Sequence, residues 1–578
     1  MSRWLALAIA ISACSSPEPS TPSQQGATTS PPKTAPRTLT IIGTNDLHGQ
    51  IARLPMFAGY VANVRAERAA DGGAVLLIDA GDLFQGTLES NLAEGADVVR
   101  AYNALGYAAT AVGNHEFDYG PVGPAVTAGS GEDPRGALEA RAAEAKFPFL
   151  VANIGDRKTG LRIDFPNMPA STLIDVAGAK VGIIGLSTSS TPTTTMPANF
   201  AGLRMMPTAL TLAVEADKLR KKGATIVIAT MHVGSECTDV TAHDSDATCD
   251  HNTELYKVLK DVAPNTVDAI VAGHTHAGIA QRIHDIPVIE SYSQARAFGR
   301  IDLTVDNGHV TAAKIFEPQL ICPLDERKNP VAVADCHPAP YDGKPVVADP
   351  AIQKISDDAL ARAASKRDDK LGVTLAATVT KAYREESPEG DLFTELMLAA
   401  QPTADVAMTN GGGLRTDLPA GELTYGAFFE AMPFDNRFAV VDVTGDQLRE
   451  LVRHNLRSSA GIMSWGGLDA TATCTPDGKL ALAITVKGKP LDDKHTYKLV
   501  TSDFLTSGGD KALERLKLPA TAIHATDVVI RDAMADALRA RKGTPLATID
   551  PAKIMAGKHL HYDGKRPVRC KADRAEDE

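Results

Sequence analysis

Short apolar runs separated by amphipathic stretches fill the chain from residue 38 to about residue 320. The runs cover residues 39–43, 74–78, 108–112, 149–154, 181–186, 225–230 and 269–272. Runs of this length are typical of buried strands, and their alternation with helical stretches is typical of layered α/β domains. The hydrophobic pattern therefore predicts an α/β fold for this part of the chain.

A second folding unit is expected beyond a proline-rich boundary. Residues 323–350 contain six prolines, a composition typical of a loop between domains. Residues 351–366 predict a connecting helix near a hinge, with an apolar side formed by Ile352, Ile355, Leu360 and Ala364. Strand-like runs at residues 373–380, 406–408, 438–443, 480–486 and 496–501 follow. We expect domains at residues 38–340 and 371–578, joined by a linker at residues 341–370, and an α+β fold for the second.

The first 14 residues predict a lipoprotein signal peptide. Arg3 precedes an apolar stretch at residues 4–11, and Ile11-Ser12-Ala13-Cys14 has the form of a lipobox. We expect Cys14 to carry lipid, followed by a disordered linker at residues 15–37 that is rich in Ser, Pro, Thr and Gln. The protein would then be tethered in the cell envelope, in the periplasm or at an outer membrane or cell surface. A cytoplasmic protein with an apolar start is the alternative.

The cysteine content fits an oxidising compartment. Six of the seven cysteines remain once Cys14 is assigned to lipid, and none of them forms a Cys-x-x-Cys pair. Their spacing invites the pairs Cys237 with Cys249, Cys322 with Cys336, and Cys474 with Cys570. Six cysteines allow about 15 connectivities, so the sequence leaves the pairing open.

The charge balance argues against a nucleic-acid polymer as the partner. The formal net charge is −12, and no run of Lys and Arg is interleaved with aromatic residues. Small anionic substrates remain compatible, because nearby charges at a site count for more than the screened total.

Five polar clusters follow the apolar runs, and together they suggest a site for two metal ions. Carboxylate, imidazole and amide side chains are suitable ligands for divalent transition metals. A single Asp-x-His or a lone His is more often structural, but five clusters in order make chance the poorer explanation. Because ligands bind beyond the carboxyl ends of parallel strands, we expect all five to meet at one edge of one sheet. The clusters are residues 45–49, 79–82, 113–116, His232 and residues 273–276.

Spacing within the clusters suggests how the ligands are arranged. Asp46 and His48 are two residues apart, so on an extended strand end they would face the same side and share an ion, and the same argument applies to His274 and His276. Asp82 follows a glycine, and its two oxygens could bridge two ions roughly 3.5–4 Å apart. We expect Asp79 to lie behind the ligands.

These motifs resemble those of the calcineurin-like metallophosphoesterases, and residues 38–570 as a whole resemble the 5′-nucleotidase family. The resemblance implies a four-layer α/β/β/α metallophosphoesterase domain, a connecting helix and a C-terminal α+β domain that binds the substrate. It also implies two divalent ions, with zinc, manganese and cobalt all open. Some periplasmic members carry Gln at the position of His276, which leaves the preferred metal open. The implied ligands are Asp46, His48, Asp82 and His276 for one ion, and Asp82, Asn114, His232 and His274 for the other.

Residues 113–118 match the family's catalytic dyad, in which His115 is oriented by Asp118. A protonated His115 could stabilise the transition state and protonate the leaving group, a role worth typically 10²–10⁴-fold for a positioned acid. The expected chemistry is hydrolysis of phosphate esters.

The second domain carries motifs that resemble the family's substrate-binding loops. Glycines at residues 411–413 let the backbone approach a ligand, and Arg415 can direct two hydrogen bonds at a phosphate. Phe434 and Phe504 are implied to stack on a nucleobase, and Asp510 to bind the ribose. Arg384 falls where the family also uses an arginine, although its surroundings depart from the usual motif. The implied substrate-binding residues are Arg384, Asn410, Arg415, Phe434, Phe504 and Asp510.

The sequence therefore predicts a hydrolase of nucleoside 5′-monophosphates that serves nucleotide salvage. Nucleoside di- and triphosphates and UDP-sugars are further candidate substrates, bound across a cleft that closes by domain rotation. The alternatives are a 2′,3′-cyclic-nucleotide phosphodiesterase with 3′-nucleotidase activity, a sulfur-oxidation thiohydrolase of similar fold, and a catalytically silent nucleotide-binding surface lipoprotein. Both a monomer and a homodimer are compatible with the sequence.

Overall fold

The computed structural model describes residues 35–325, 331–541 and 547–571. From Pro36 onward these residues belong to one compact unit. The predicted signal peptide, Cys14 and nearly all of the predicted linker lie outside the described residues. Among the helices that the structure describes, none combines the length and apolarity needed to cross a lipid bilayer.

The first domain contains 14 of the described strands and seven helices. Its strands are β1 (Arg37–Thr44), β2 (Ala74–Asp79), β3 (Ala109–Ala111), β4 (Phe149–Leu150), β5 (Ile154–Asp156), β6 (Ser171–Val176), β7 (Ala179–Ser187), β8 (Leu203–Met205), β9 (Ile226–His232), β10 (Ala269–Ala272), β11 (Gly278–Ile283), β12 (Ile286–Ser291), β13 (Ala297–Asp306) and β14 (His309–Leu320). Its helices are α1 (Leu54–Asp71), α2 (Leu88–Asn91), α3 (Ala96–Leu105), α4 (Gly136–Glu144), α5 (Thr191–Thr194), α6 (Thr208–Lys221) and α7 (Glu254–Lys260).

Two six-stranded sheets form the centre of this domain. Their strand orders are β14-β13-β1-β2-β3-β4 and β11-β12-β10-β9-β7-β6, with parallel pairing from β1 to β4 and along β7, β9, β10 and β12. The prediction of one sheet edge for all five clusters is wrong, because β1 to β3 lie in one sheet and β9 and β10 in the other. Leu39 and Ile78 of the first sheet pack against Ile183 and Ile228 of the second. This face-to-face packing explains how clusters from both sheets can share one site.

The helices complete a four-layer arrangement. Helix α1 packs on β1 and β2, outside the first sheet, and α6 packs on β7 and β9, outside the second. Helix α1 starts with Pro55 in its first turn and ends at Gly72, whose φ of 71° suits a glycine cap. The α/β/β/α order implied by the resemblance is confirmed.

One predicted strand of this domain is divided in two. The run at residues 149–154 gives β4 and β5, which belong to different sheets. Between them, Ala152 donates to the carbonyl of Gly185, and the side chain of Asn153 bonds the backbone of Ser187 at 2.7 and 2.9 Å. These bonds to the end of β7 divert the chain from the first sheet.

The predicted connecting helix is present as α8 (Pro350–Arg367). The Asp349 carboxylate caps it by accepting the amides of residues 351 and 352. Its fully buried side is formed by Ile352, Ser356, Ala359 and Ala363, so of the predicted apolar side only Ile352 is fully buried. Helix α8 packs against α1, α2 and α3 of the first domain.

The second domain is α+β, as predicted. Its strands are β15 (Lys370–Leu375), β16 (Val406–Asn410), β17 (Gly421–Thr424), β18 (Arg437–Thr444), β19 (Met463–Gly466), β20 (Leu468–Cys474), β21 (Leu480–Val486), β22 (Lys489–Pro490), β23 (Thr496–Ser502), β24 (Ile523–Val529), β25 (Ala547–Ile549) and β26 (Leu560–His561). Its helices are α9 (Pro388–Ala400), α10 (Tyr425–Ala431), α11 (Gly445–Arg457), α12 (Asp503–Thr506), α13 (Ile530–Ala540) and α14 (Pro551–Ala556). The predicted strand at residues 373–380 ends at Leu375, and Val379 forms only an isolated bridge with Leu418.

A five-stranded sheet of order β19-β16-β23-β18-β24 separates two cores of this domain. Because side chains alternate along a strand, Ala407 and Val500 enter the core with α9 and α13, whereas Val406 and Leu499 enter the core with α11. The first of these cores also takes in Leu88 from α2 of the other domain. The two domains are therefore packed together through an apolar contact as well as through α8.

All three disulfide pairs invited by the cysteine spacing are present. The structure joins Cys237 to Cys249, Cys322 to Cys336, and Cys474 to Cys570. The first closes a loop beside the cleft described below, and the third joins β20 to the C-terminal segment.

Candidate metal centre and interdomain cleft

The predicted metal ligands lie on tight turns after the strands. Asp46, His48, Asp82, His274 and His276 all have a positive φ, between 49° and 83°. The expectation of extended strand ends is therefore wrong for both Asp-x-His and His-x-His. Non-glycine residues in the left-handed region cost on the order of 1–3 kcal/mol each, and such residues cluster at functional sites.

The first group of ligand atoms comes from Asp46, His48 and His276. The Nε2 atoms of His48 and His276 are 3.0 Å apart, and the Asp46 Oδ1 atom lies 3.3 Å from that of His276. The Nδ1 atom of His48 contacts the carbonyl of Gln85 at 2.8 Å, so it carries the proton and leaves Nε2 as a lone-pair donor. All three ligand atoms thus face one point.

The second group comes from Asp82, His232 and His274. The Nε2 atom of His232 lies 3.0 Å from Asp82 Oδ2 and 3.1 Å from the amide oxygen of Asn114. The Nδ1 atom of His232 contacts the carbonyl of Ala80 at 2.8 Å, which orients the ring. His274 and His276 thus belong to different groups, as the resemblance implied.

Asp82 lies between the two groups. Its Oδ2 atom is 3.0 Å from His232 and 4.0 Å from His48, so it faces both groups. Its Oδ1 atom accepts the backbone amide of His115 at 2.8 Å. A carboxylate in this position suits a ligand shared by two ions.

The donor set fits divalent metal ions. The three ligand atoms of each group lie within 4.8 Å of one another. Asp46 Oδ1 is buried and has no hydrogen-bond partner among the described residues, as expected of an oxygen that serves a cation. Burial and neighbouring cations lower the pKa of His48 and bring that of His274 to about 3, so both rings are neutral. Burial alone would lower the pKa of His232, but Asp82 raises it to about 10, so a metal would displace a proton there.

Asp79 lies behind the ligands, as predicted. Its carboxylate accepts the hydroxyls of Thr44 and Tyr102 at 2.6 and 3.0 Å, and the backbone amide of Gly81 at 2.8 Å. Burial raises the pKa of Asp79 to about 6, although these bonds oppose the shift. Asp79 therefore braces the turn that presents Asp82.

Glu116 has no role predicted from the sequence, but it braces the turns that carry two predicted ligands. Its carboxylate accepts the backbone amides of Asp82, Leu83 and Gly113 at 2.9, 2.6 and 2.6 Å. It is 1% exposed. Glu116 thus joins the turn of Asp82 to the turn of Asn114. The sequence feature that points to Glu116 is its position directly after Asn114 and His115.

The predicted dyad is formed. His115 Nδ1 lies 2.5 Å from Asp118 Oδ2. Burial would lower the pKa of His115, but the carboxylates of Asp118 and Asp82 outweigh it and raise the pKa above its ordinary value. His115 therefore tends to keep its proton, as a general acid must.

A cleft of about 720 Å³ runs between the domains and contains all the predicted substrate-binding residues. From the second domain, Arg415 Nη2 lies 3.0 Å from His48 Nε2. The Phe434 ring lies 5.8 Å from the guanidinium of Arg415 and 5.6 Å from the ring of His115. The phosphate-binding arginine predicted from the sequence is thus at the metal centre.

The predicted nucleoside-binding residues lie farther along the cleft. Asn410 donates to Asp510 Oδ2 at 2.7 Å, so these two residues form one polar unit. Asp510 has a φ of 50° on the turn Gly509–Lys511, and Phe504 lines the same cleft. The structure brings Phe434, Phe504 and Asp510 into one cavity.

Arg384 also lines the cleft, but its guanidinium is paired. It lies 3.1 Å from the carboxylate of Glu236, which belongs to the first domain and precedes the Cys237–Cys249 loop. Arg384 therefore contacts both sides of the cleft.

The cleft also contains Lys381 and Tyr383, which are not among the residues predicted from the sequence. Tyr383 is 51% exposed, and its ring packs close to Gly461 and the Gly412 backbone. Burial lowers the pKa of Lys381, as does the nearby Arg415. The sequence does not predict that Lys381 or Tyr383 lies in the cleft, because neither residue belongs to a recognised motif.

Comparison with known proteins gives matches over both domains. Residues 39–278 match the calcineurin-like phosphoesterase family, and residues 364–517 match the 5′-nucleotidase C-terminal domain. Protein UshA of Yersinia enterocolitica is 27% identical over 507 residues, which cover 82% of this chain and 86% of that protein. A 5′-nucleotidase of Vibrio cholerae is 25% identical over 508 residues, which cover 82% of this chain and 85% of that protein. The solved 5′-nucleotidase precursor of Thermus thermophilus has a TM-score of 0.68 at 23% identity, covering 89% of this chain and 97% of that one, which shows a shared fold.

Proposed function

Since the chain belongs to the family that joins a calcineurin-like phosphoesterase domain to a 5′-nucleotidase C-terminal domain, we propose that it removes phosphate from nucleoside 5′-monophosphates. One observation carries the proposal. A single cleft contains the two groups of metal-binding side chains together with Arg415, Phe434, Phe504 and Asp510. A substrate with a phosphate at one end and a nucleoside at the other would match this order of groups.

Two divalent ions would be held by the ligand sets of the two groups, with Asp82 shared and Asn114 added to the second. When bound, such ions polarise water and neutralise the charge that develops on phosphate oxygens. Zinc, manganese and cobalt all suit this mixture of imidazole and carboxylate ligands.

The protein's own residues have separate tasks around the phosphate. Arg415 offers two parallel hydrogen bonds to phosphate oxygens. His115 donates a proton to the departing ester oxygen, and Asp118 stabilises the charged ring. His115 lies within 5.6 Å of Phe434, between ring centres, so the acid lies beside the aromatic wall of the cleft.

Nucleoside recognition is assigned to the second domain. Phe434 and Phe504 would stack on the base, a contact worth roughly 1–3 kcal/mol per base that tolerates any base. Asp510, braced by Asn410, would accept hydrogen bonds from ribose hydroxyls. Arg384 would reach the substrate once it releases Glu236.

The proposal includes further substrates and a place of action in the cell. The size and polarity of the cleft support nucleoside di- and triphosphates and UDP-sugars as further substrates. The lipobox at Cys14 supports a role at the cell envelope, where released nucleosides would be salvaged. Domain closure about α8 would exclude water and align the phosphate.

Phosphate release from a panel of substrates tests the proposal. The purified protein would be assayed with AMP, ADP, UDP-glucose, 2′,3′-cyclic AMP and nitrophenyl phosphate, before and after EDTA, with zinc, manganese or cobalt added back. Metal-restored release from AMP is expected. Release only from the cyclic compound would replace the proposal with the phosphodiesterase, and metal-loaded protein that acts on none of them would favour a silent nucleotide-binding protein.

A further inference from the structure

A hydroxyl-rich segment at residues 188–196 borders the centre without belonging to any predicted ligand or substrate set. Its sequence, Thr-Ser-Ser-Thr-Pro-Thr-Thr-Thr-Met, contains seven hydroxyl side chains in nine residues and includes α5. The segment follows β7, and several of its residues line the cleft. The hydrogen bonds of this segment indicate which residues of the site it supports.

The end of the segment fixes the carboxylate of Asp118. The hydroxyl of Thr195 donates to Asp118 Oδ1 at 2.8 Å, and the backbone amide of Met196 reaches the same oxygen at 3.3 Å. The other oxygen, Oδ2, lies 2.5 Å from His115 Nδ1. The two oxygens therefore have separate partners, and rotation of the carboxylate would cost both sets of bonds.

Burial makes this arrangement rigid. Thr195 is 1% exposed, so water does not easily replace its hydroxyl as the partner of Asp118. Elsewhere in the segment, the Thr194 carbonyl accepts the side-chain amide of Asn114 at 2.9 Å. The segment thus holds both the dyad and a predicted metal ligand, through different residues.

We propose that Thr195 is a positioning residue for phosphate-ester hydrolysis. Its hydroxyl holds Asp118 in the orientation that aims the His115 ring at the leaving group. The inference rests on the proposed function, because it requires His115 to act as the general acid.

The step itself is a balanced hydrolysis. The bond between phosphorus and the ester oxygen breaks, and its electron pair goes to that oxygen. A water oxygen forms the new bond to phosphorus and releases a proton to solvent. His115 gives its proton to the ester oxygen and later regains one from solvent. Without the Thr195 hydroxyl, the protonated ring would be misplaced for the transfer.

Leaving-group dependence separates this role from a structural one. Nitrophenolate leaves readily without a proton, whereas an alkoxide requires one, so loss of an aligned acid is felt mainly with alkyl esters. The test compares Thr195→Val and Thr195→Ser with the wild-type protein, on a series of phosphate monoesters from nitrophenyl to simple alkyl, with saturating metal. Thr193→Val is the matched control, because the Thr193 hydroxyl donates to the Ser190 carbonyl and, among the described residues, forms no hydrogen bond with His115, Asp118 or a predicted metal ligand.

We expect Thr195→Val to lower kcat about 10- to 100-fold on alkyl esters, which is part of the roughly 10²–10⁴-fold that a positioned acid contributes. The loss on nitrophenyl phosphate should be slight, KM should not change, and Thr195→Ser should restore activity. Thr193→Val should match the wild-type protein. Should the valine variant not fold, Thr195→Ala, which removes the hydroxyl without adding bulk, supplies the same comparison.

Other outcomes would overturn the inference. If Thr195→Val lost activity equally on every ester, or kept the wild-type rate on all of them, Thr195 would not act through the general acid His115. A drop in bound metal, measured by atomic emission, would mean that the segment supports only the metal site. The ester series needs no nucleotide, so a wild-type protein that cleaves alkyl esters but not AMP would contradict the nucleotidase proposal and leave the Thr195 test intact.

Discussion

Arg415 of the second domain lies 3.0 Å, between Nη2 and Nε2, from His48 of the first. The contact crosses the cleft, so it exists only when the two domains are packed together. Burial lowers the pKa of Arg415, while Asp82 and Asp46 oppose that shift. The guanidinium therefore lies near carboxylates of both candidate metal-binding groups, and in the proposed function it would also meet the substrate phosphate.

Replacement of Arg415 should weaken catalysis on every phosphate ester. Arg415→Ala removes charge-assisted bonds worth roughly 1.5–3 kcal/mol, so kcat/KM should fall about 10- to 100-fold. Arg415→Lys keeps the charge but loses the planar fork, and should recover only part of the activity. Steady-state assays with AMP and nitrophenyl phosphate would measure both. A loss limited to AMP would place Arg415 on the nucleoside instead.

Phe504 offers the cleaner test of base stacking. Phe434 lies 5.6 Å from His115 and 5.8 Å from Arg415, so its removal would disturb the chemistry as well as the base. Loss of the stacking contact should weaken AMP binding by roughly 1–3 kcal/mol, so Phe504→Ala should raise the KM for AMP about 5- to 150-fold. The KM for phenyl phosphate should not change. Phe434→Ala should impair both substrates. If Phe504→Ala impaired both equally, the stacking role would be wrong.

Glu116 should control metal affinity without touching the metal. Its carboxylate accepts three backbone amides from the turns of Asp82 and Asn114, and a glutamine would turn an NH₂ group toward some of them. Outer partners of metal ligands typically contribute 10- to 100-fold to affinity, so Glu116→Gln should weaken metal binding by about that much. Titration of the EDTA-stripped protein with manganese would measure it. Activity should return at high metal concentration, and a loss that excess metal does not relieve would contradict this role.

The sequence predicted which residues form the two candidate metal-binding groups better than it predicted their geometry. Apolar runs followed by Asp, Asn and His were enough to find five clusters, because buried strands have a simple signature. The assignment of His274 and His276 to separate groups came from the resemblance. Periodicity had placed them on one side of an extended segment, whereas φ values of 83° and 58° put both on a tight turn.

The roles of Thr195 and Glu116 could not be predicted in the same way. Thr195 is 77 residues from Asp118, and Glu116 meets the amide of Asp82 from 34 residues away. No local pattern encodes such pairs, because they depend on how two separate turns meet after the sheets have packed. The same limit applies to the division of the clusters between two sheets, which only the long-range packing of Leu39 and Ile78 against Ile183 and Ile228 decides.

Asp391 should make the protein less stable as the pH rises. It is 1% exposed at the start of α9, and neither carboxylate oxygen has a hydrogen-bond partner among the described residues. Burial, with the nearby Glu386 and Glu395, raises its pKa from 3.8 to about 8. The folded protein therefore holds this proton more tightly than the unfolded chain does. The stability this provides is fully present below pH 3.8 and is lost progressively as the pH rises to about 8.

Asp391→Asn mimics the protonated acid and should remove this dependence. Relative to the wild-type protein, its free energy of unfolding should rise with pH between 5 and 8, reaching a gain on the order of 1–3 kcal/mol, because burial penalises the carboxylate charge and asparagine carries none. Urea unfolding at several pH values would measure the gain. Glu514→Gln is the control, because Glu514 is exposed and is not among the charges that shift the pKa of Asp391, so its variant should show little change. A difference between Asp391→Asn and wild type that stays constant with pH would mean that Asp391 is ionised in the folded protein, and that another group compensates for its buried charge.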